Sequence, residues 1–515
     1  MATDLYAVLC VSCALLLLFY AWKVVNIALI RPKRLEKLLR QQGFKGNSYR
    51  FLYGDLIESS KMIQEAKSKP INLHDDIKTR VISFFNATTK KYGKNSFFWL
   101  GPILTVILTD PELMKEVMIK HHVYQKPQFP NPLTKLLAQG LLTYETDKWA
   151  KHRKIINPAF HLDKLKMMVP ALISCCEEMM GKWESRERSC ELDVWPYLQN
   201  LSRDFLSRTA FGSSYEEGKR VFELQREQIE LTVKAAQSIY ILGWRFVPTK
   251  RNKRMKEIDR KVQSLIKGLI DGRVNAMKAG EACNDDLLGL LLESNHQEML
   301  LNGDRSYGMN IDDVVAECKL FYTAGHETTS VLLVWTFFLL SLHPEWQKKA
   351  RDEILQVFGS RLVPDFDGLN HLKIVTMILY EVLRLYPPTV ALIRRITEDT
   401  KLGTLSLPKG VHVLLPTIML HHSCEIWGED AMEFKPDRFS EGVSIAQKGQ
   451  GIYFPFGWGP RTCVGQTFAM LQVKLALTMI LRRFSFKVSP SYKHAPHTVM
   501  ILKPQHGVHL ILSKI

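Results

Sequence analysis

"FPFGWGPRTCVGQTFAM", Phe454 to Met470, sets one cysteine among three glycines, two prolines and an arginine, and runs straight into an apolar stretch with helical spacing, TFAMLQVKLALTMIL. Glycines in such a segment let the backbone turn tightly and bring its N–H groups near the sulfur. A cysteine at a helix start also feels the positive end of the helix dipole, which favours thiolate. A soft anionic ligand suits iron, and a lone cysteine without neighbouring ligand residues points to a metal already held by a macrocycle, a description that haem fits. An isolated thiol in a glycine-rich loop is ordinarily structural. The complete spacing Phe456-x-x-Gly459-x-Arg461-x-Cys463-x-Gly465 argues for a ligand instead.

Three further motifs lie upstream. Glu381-Val-Leu-Arg384 closes an apolar helical run stopped by Tyr386-Pro387-Pro388, and its i,i+3 spacing puts carboxylate and guanidinium on one face. On a surface this is an ordinary pair. Buried, it needs more partners, and Arg438 of FKPDRF (Phe434 to Phe439) is the candidate, in a structural role. Ala324-Gly325-His326-Glu327-Thr328-Thr329 interrupts the apolar pattern Ile311 to Leu342. Glycine costs a helix about 1 kcal/mol relative to alanine and a β-branched pair adds no propensity, so the choice marks a site. Gly325 would admit a small ligand near the backbone, Thr328 would hydrogen-bond it, and Glu327 would connect it to solvent protons. The plainer alternative is a threonine bonded to its own i−4 carbonyl. In Trp149-x-x-x-Arg153, indole N–H and guanidinium point the same way. With Arg461 and Arg394 or Arg395 they would clamp two carboxylates through charge-assisted bonds, each worth about 1.5 to 3 kcal/mol.

The rest of the chain limits the setting. Leu5 to Trp22, LYAVLCVSCALLLLFYAW, carries no charge, and the apolar character resumes after Lys23 as VVNIALI. That is long enough to cross a bilayer. Arg31, Lys33, Arg34, Lys37 and Arg40 follow, so the segment reads as an uncleaved anchor with the remainder of the chain on the cytosolic side. Residues 1–30 are read as the anchor, 31–48 as a basic linker and 49–515 as one catalytic domain. Nine cysteines without a repeated C-x-x-C spacing signal neither a disulfide framework nor a zinc site. The net charge of +17 would suit nucleic acid, but the anchor argues against it. KRNKR, Lys250 to Arg254, reads as the solvated start of a charged helix.

Helical periodicity dominates, as in Leu165 to Met180, Lys253 to Met277, Asp285 to Ser294, Ile311 to Leu342 and Leu372 to Leu385. Strand-like pieces are short. They gather at Leu405 to Leu415, around the turn Pro408-Lys409-Gly410, and at the carboxyl end near VHLILSKI. Val331 to Leu342 is apolar but too short to span a membrane and is read as a buried central helix.

The four motifs, in this order and over nearly the whole chain, resemble the cytochrome P-450 haem-thiolate monooxygenases. More narrowly, YETDKWAKHRKIINPAFHLDKLK (Tyr144 to Lys166), YRFLYGD (Tyr49 to Asp55) and the cysteine segment look like plant family-72 members, the secologanin-synthase-like group. The chain departs from many relatives in having only Arg31-Pro32 where a Pro-Pro-Gly-Pro hinge is common, and Asp437 where glutamate is common.

That resemblance implies a cytochrome P-450 fold, mainly α with small β-sheets, preceded by one N-terminal transmembrane helix. It implies haem b, with Cys463 as the axial ligand and Thr328 and Glu327 delivering protons to dioxygen. Trp149, Arg153, Arg394 and Arg461 would hold the haem propionates. Phe456 would pack beside the ring with Gly465 in the same loop, and Glu381, Arg384 and Arg438 would fix the segment behind it. Electrons would come from NADPH through a separate reductase, since no Gly-rich nucleotide fingerprint is apparent, with cytochrome b5 as an optional second donor. Arg461, Lys474, Arg482 and Arg483 are read as a basic face for that acidic flavoprotein. The resemblance also implies the endoplasmic reticulum membrane and oxygen insertion into an apolar molecule, such as a cyclic terpenoid of iridoid, gibberellin or triterpene type. Phe246, Phe321 and Leu392 are the expected apolar contacts. Two rivals remain at this point. A peroxide-rearranging isomerase or lyase would need neither O₂ nor a reductase, and a non-catalytic haem sensor would have no use for Glu327 and Thr328.

Overall fold

From Val331 to Ser341 every side chain of the helix Ile311–Leu342 is buried. Asn310 caps its start by accepting the Asp313 N–H at 2.8 Å, and Pro344 begins the next helix just beyond its end. The apolar run is therefore core, as its length demanded. Trp335 stacks on Tyr386 at 4.5 Å and Phe337 on Phe486 at 4.8 Å. Such burial contributes about 1.5 to 3 kcal/mol per large side chain. The helices Trp195–Phe211, Lys250–Lys278, Lys373–Leu385 and Gln466–Leu481 pack around this axis. The computed structural model describes residues 2–515 apart from 128–130, 213–214, 239–242, 281–285, 302, 360 and 362.

Several expected helices have different ends. The stretch Leu165 to Met180 divides into Leu162–Met167 and Val169–Glu184, because Pro170 has no N–H to offer the Lys166 carbonyl. Lys250–Lys278 starts earlier than expected, capped by Thr249. KRNKR is its first turn, with Arg254 paired to Glu227 and Glu257. Leu287–Leu301 covers the next expected helix, whose proposed start at Asp285 lies outside the described residues.

A six-stranded sheet runs in the order Lys45–Gly46, Ser96–Leu100, Ile103–Ile107, His412–Leu415, Leu392–Ile396, Tyr124–Gln125. Its central hairpin, Ser96–Leu100 with Ile103–Ile107, was not read from the sequence. Both strands are almost wholly buried, so alternation disappears. A second hairpin, Pro496–Val499 with Ile501–Pro504, lies along the central helix, where Trp335 Nε1 donates to the Leu502 carbonyl at 3.2 Å.

At the amino end, helix Ala2–Val25 continues through a π turn, Asn26–Ile30, into helix Arg31–Gln41. It is long and apolar enough to cross a membrane. The expected linker 31–48 needs correction: Pro32, Leu35 and Leu39 are buried, the two leucines in the sheet core with Phe97 and Trp99. Their i,i+3/i+4 spacing docks the helix on the domain.

Candidate active site

Cys463 lies between a 3₁₀ turn, Gly459–Arg461, and the helix Gln466–Leu481. The loop holds itself through Cys463 N–H donating to the Phe456 carbonyl at 2.9 Å and Gly457 N–H to that of Phe454 at 3.1 Å. Gly459, at φ +69°, is needed because a Cβ there would sit 3.2 Å from the Met118 carbonyl. Gly465 is different: an added Cβ would meet only ordinary contact with Phe160, so its contribution is the N–H it directs at the sulfur. Arg153 donates to the Thr462 carbonyl at 2.8 Å. Burial pushes the Cys463 thiol up, while the Gly465 N–H and the Arg153 charge pull it down. Yet the residue is exposed. A side chain deep in the fold that still meets open space faces a cleft.

The opposite wall comes from the central helix. Ala324 is exposed and Thr323 and Thr328 are half-buried, in a helix otherwise mostly buried, while the space a Cβ on Gly325 would take, expected to admit a small ligand, is filled by Leu206 at 3.0 Å. Phe160 joins the walls, 6.2 Å from Phe321 and 6.3 Å from Phe468 on the helix that follows the cysteine. The Thr328 hydroxyl donates to the Ala324 carbonyl at 2.8 Å, the i−4 bond of the plainer alternative, and this leaves its oxygen lone pairs available to accept.

Glu327 points elsewhere. Its carboxylate is 3.6 Å from His326 Nε2 and 3.8 Å from Lys503 Nζ on the second hairpin. Burial works to raise its pKa, but the His326 hydrogen bond and charge, with Lys503 and Arg203, outweigh it and hold the group at about 2. The structure therefore does not bring Glu327 and Thr328 into contact.

One end of the cleft is rich in cations. The Arg461 guanidinium lies 4.2 Å from the Trp149 ring centre, pairs with Glu145, and donates to the Tyr144 carbonyl at 2.8 Å. Burial, then Arg461, lowers Arg394 to about 10. Lys126 is pushed well below its ordinary value by burial, then by Arg394 and Arg461. Strand alternation turns Arg395 to the other face, beside His412, so of the two arginines Arg394 joins the cluster. Glu145 opposes these charges, and its second role is to accept the Lys126 backbone N–H at 2.8 Å. Lys126 and Glu145 escaped the sequence reading, since a Lys-Pro and a Tyr-Glu pair carry no spacing signal.

Behind the cysteine loop, Glu381 and Arg384 are fully buried and joined by two bonds of 2.7 and 2.8 Å. Arg384 also donates to the carbonyls of His421, Ala431 and Glu433, and Arg438 reaches Glu381 at 3.4 Å. The expected triad forms, with its remaining donors satisfied by backbone. A second buried tie was not foreseen: His152 Nδ1 meets Glu317 Oε1 at 2.6 Å, and Glu317 also accepts the Leu141 N–H.

Other expectations fail. Arg461 is interior, Arg483 is paired with Glu177 at 2.7 Å, Arg482 donates to the Gly359 carbonyl, and Lys474 donates to that of Leu369. These four do not make a free basic face. Phe246 is 70% exposed on a surface turn and is not brought to the cleft with Phe321, whereas Leu392, half-buried against the sheet core, shares its strand face with Arg394.

The donor set fits haem. A cysteine on one wall supplies a single soft ligand, and Lys126, Arg394 and Arg461 with an indole N–H against one carboxylate leave excess positive charge for two propionates.

Residues 71–512 match the family described as Cytochrome P450. The chain is 59% identical over 499 residues to cytochrome P450 72A397 of Kalopanax septemlobus, covering 96% of each chain. It is 53% identical to secologanin synthase 2 of Catharanthus roseus (97% of this chain, 96% of the relative) and 51% identical to 7-deoxyloganic acid hydroxylase of the same plant (97% of each). The chain belongs to the cytochrome P450 family and is a haem-thiolate monooxygenase.

Proposed function

We propose that Cys463 would ligate the iron of haem b and that the enzyme inserts one oxygen atom into a plant cyclic terpenoid of iridoid, gibberellin or triterpene type. The observation that carries this is the cleft with Cys463 on one wall and Ala324 and Thr328 on the other. The relatives named for secologanin synthesis and 7-deoxyloganic acid hydroxylation support the substrate class.

Bound haem supplies dioxygen activation and oxygen transfer. The chain does the rest. Trp149, Arg153, Arg394, Arg461 and Lys126 would hold the propionates, and Arg153 also fixes the cysteine loop through the Thr462 carbonyl. Phe456 accepts the Cys463 N–H through its carbonyl, and Gly465 directs its N–H towards the sulfur. Thr328, anchored to the Ala324 carbonyl, accepts a hydrogen bond from water and orients its proton into the cleft. Glu327, held ionised by His326 and Lys503, acts as a hydrogen-bond acceptor on the side of the helix away from Thr328 and is not itself protonated near neutral pH. Electrons come from an NADPH-dependent reductase, with cytochrome b5 as an accessory donor. The enzyme sits on the endoplasmic reticulum membrane with 49–515 in the cytosol, a reading that the apolar amino-terminal helix and the basic residues after it support.

Full-length enzyme with reductase, NADPH and ¹⁸O₂ is to be tested on a terpenoid panel. One ¹⁸O atom per product molecule is expected. Rearrangement without O₂ uptake would establish the isomerase alternative instead.

A further inference from the structure

The helix Thr146–Ile156 carries Trp149 and Arg153 at the cationic end of the cleft, and between them in sequence His152 turns into the core. His152 and Glu317 of the central helix are both fully buried, with Nδ1 and Oε1 2.6 Å apart. Glu317 lies about two turns before Ala324, so the pair joins the helix of the cationic clamp to the helix of the opposite wall. The other Glu317 oxygen accepts the Leu141 N–H at 3.0 Å, in the 3₁₀ turn Gly140–Leu142. That approach requires glycine at 140: at φ +81°, a Cβ there would stand 2.6 Å from Glu317 Oε2. One carboxylate thus holds three segments together.

The imidazole is enclosed by the same segments. The Tyr144 ring meets it edge-on at 4.8 Å, and the Tyr144 carbonyl takes Arg461 from the cysteine loop. Asp313, one helical turn before Glu317, brings Oδ1 to 3.8 Å from His152 Nε2 and pairs with Lys148 at 2.7 Å. Nε2 makes no hydrogen bond among the described residues, so the bond to Glu317 alone directs the ring. A buried pair of this kind is weak evidence of stability, since well-packed apolar side chains of similar volume are often as good or better. What hydrocarbon cannot supply is direction. A short bond between two particular atoms fixes the rotation and height of one helix against another, where apolar contact tolerates sliding.

We propose that His152 and Glu317 are positioning residues: the pair sets the height and rotation of the helix Thr146–Ile156 against the central helix, and so where Trp149 and Arg153 present their donors. The propionate role of those donors rests on the haem reading above, whereas the register of the two helices does not. Arg153, next to His152 in the chain, also holds the Thr462 carbonyl at 2.8 Å, so a shift of this helix reaches the cysteine loop as well.

The test places nitroxide-bearing unnatural amino acids at positions 150 and 312, where Ala150 and Asp312 are exposed, one on each helix. Their separation is measured by pulsed electron paramagnetic resonance in the full-length ferrous–CO holoenzyme, whose iron is diamagnetic. The same measurement on the haem-free full-length chain reads any variant that keeps no haem. Wild type, Glu317→Gln and His152→Asn, which retain a polar atom at each end of the contact, are expected to share one narrow distance distribution. Glu317→Met and His152→Leu should shift or broaden it and release haem to apomyoglobin several-fold faster. Ile354→Ala, which opens a cavity at a fully buried site on the helix Pro344–Phe358, controls for lost stability and should leave the distribution unchanged. An unchanged distribution in both Glu317→Met and His152→Leu overturns the proposal, as does an equal shift in Ile354→Ala. A shift in Glu317→Gln as large as in Glu317→Met overturns it too, because charge and not a directed contact would then hold the helices. The wild-type CO spectrum separates the two readings: absence of the thiolate band beside the expected distances would contradict Cys463 as ligand and leave the positioning pair standing.

Discussion

His421 accepts the backbone N–H of Phe454 at 3.0 Å through its Nε2, while its own carbonyl takes Arg384 Nη1 at 2.7 Å. The buried ion pair behind the cleft is thereby linked, through one imidazole, to the first residue of the cysteine loop. Replacing His421 with phenylalanine should leave the Phe454 N–H unpaired, at a cost of about 1 to 3 kcal/mol. Haem content and the fraction of the ferrous–CO band at its thiolate position should fall together. His421→Gln, which can still accept, should recover part of both; equal loss in the two variants would reduce His421 to filling space.

Burial, then the Arg384 charge, lowers His421 to about 3, so it stays neutral in the fold. The unfolded chain binds a proton near pH 6.5 that the folded chain refuses. Stability therefore levels off above pH 6.5 and falls on acidification, by about 1.4 kcal/mol per pH unit for one such group. His494, also held at about 3, adds to this slope. Denaturant melts from pH 8 to 4.5 check the sign, which would be wrong if stability rose on acidification.

Glu381→Gln should be far more damaging than a surface ion-pair change. It leaves the Arg384 guanidinium buried with weakened compensation, and breaking a buried pair costs about 3 to 5 kcal/mol. Little holoenzyme should accumulate, measurable as haem per protein.

Lys126 gives a two-sided prediction. Without haem it is a half-buried lysine whose charged form Arg394 and Arg461 oppose, so Lys126→Met should match or exceed the wild type in apoprotein stability. With haem it loses a propionate partner, so haem should leave for apomyoglobin several-fold faster. Apoprotein stability should also rise as pH climbs toward 10.5, because the folded lysine releases its proton first. A destabilised apoprotein with unchanged haem loss would place Lys126 outside the clamp.

Thr328→Ala should keep haem, CO binding and most NADPH consumption while product per NADPH falls and free hydrogen peroxide rises. General acid or base contributions are about 10²- to 10⁴-fold, and water can replace part of one. Because the hydroxyl also bonds the Ala324 carbonyl, Thr328→Ser, which keeps both functions, separates the readings. Unchanged coupling with lower stability would leave Thr328 a helix-bending residue.

What the sequence made legible was whatever had a period or a fixed spacing. The Ile311–Leu342 helix has the limits its pattern gave, Glu381 and Arg384 meet as their spacing suggested, and Arg438 supplies the further partner that a buried pair needs. Adjacency in a motif misled for Glu327 and Thr328: successive helical residues point about 100° apart, so one faces Lys503 and the other the cleft. His421, Lys126 and Glu145 were invisible because their partners are far away in the chain and their own neighbours form no pattern. The hairpin Ser96 to Ile107 was hidden by burial on both faces, and the supposed linker by reading only its charges, when Pro32, Leu35 and Leu39 carry its amphipathic face.

Cys463 as the iron ligand is the assignment on which every other role in the cleft rests. Its direct measurement is the ferrous–CO difference spectrum of the full-length wild type against Cys463→Ser, each normalised to protein. The wild type should give the red-shifted band of thiolate-ligated haem, because the sulfur donates electron density that an alcohol cannot, and Cys463→Ser should lose it. Persistence of that band in Cys463→Ser would contradict the assignment of the ligand and, with it, the cleft built around it.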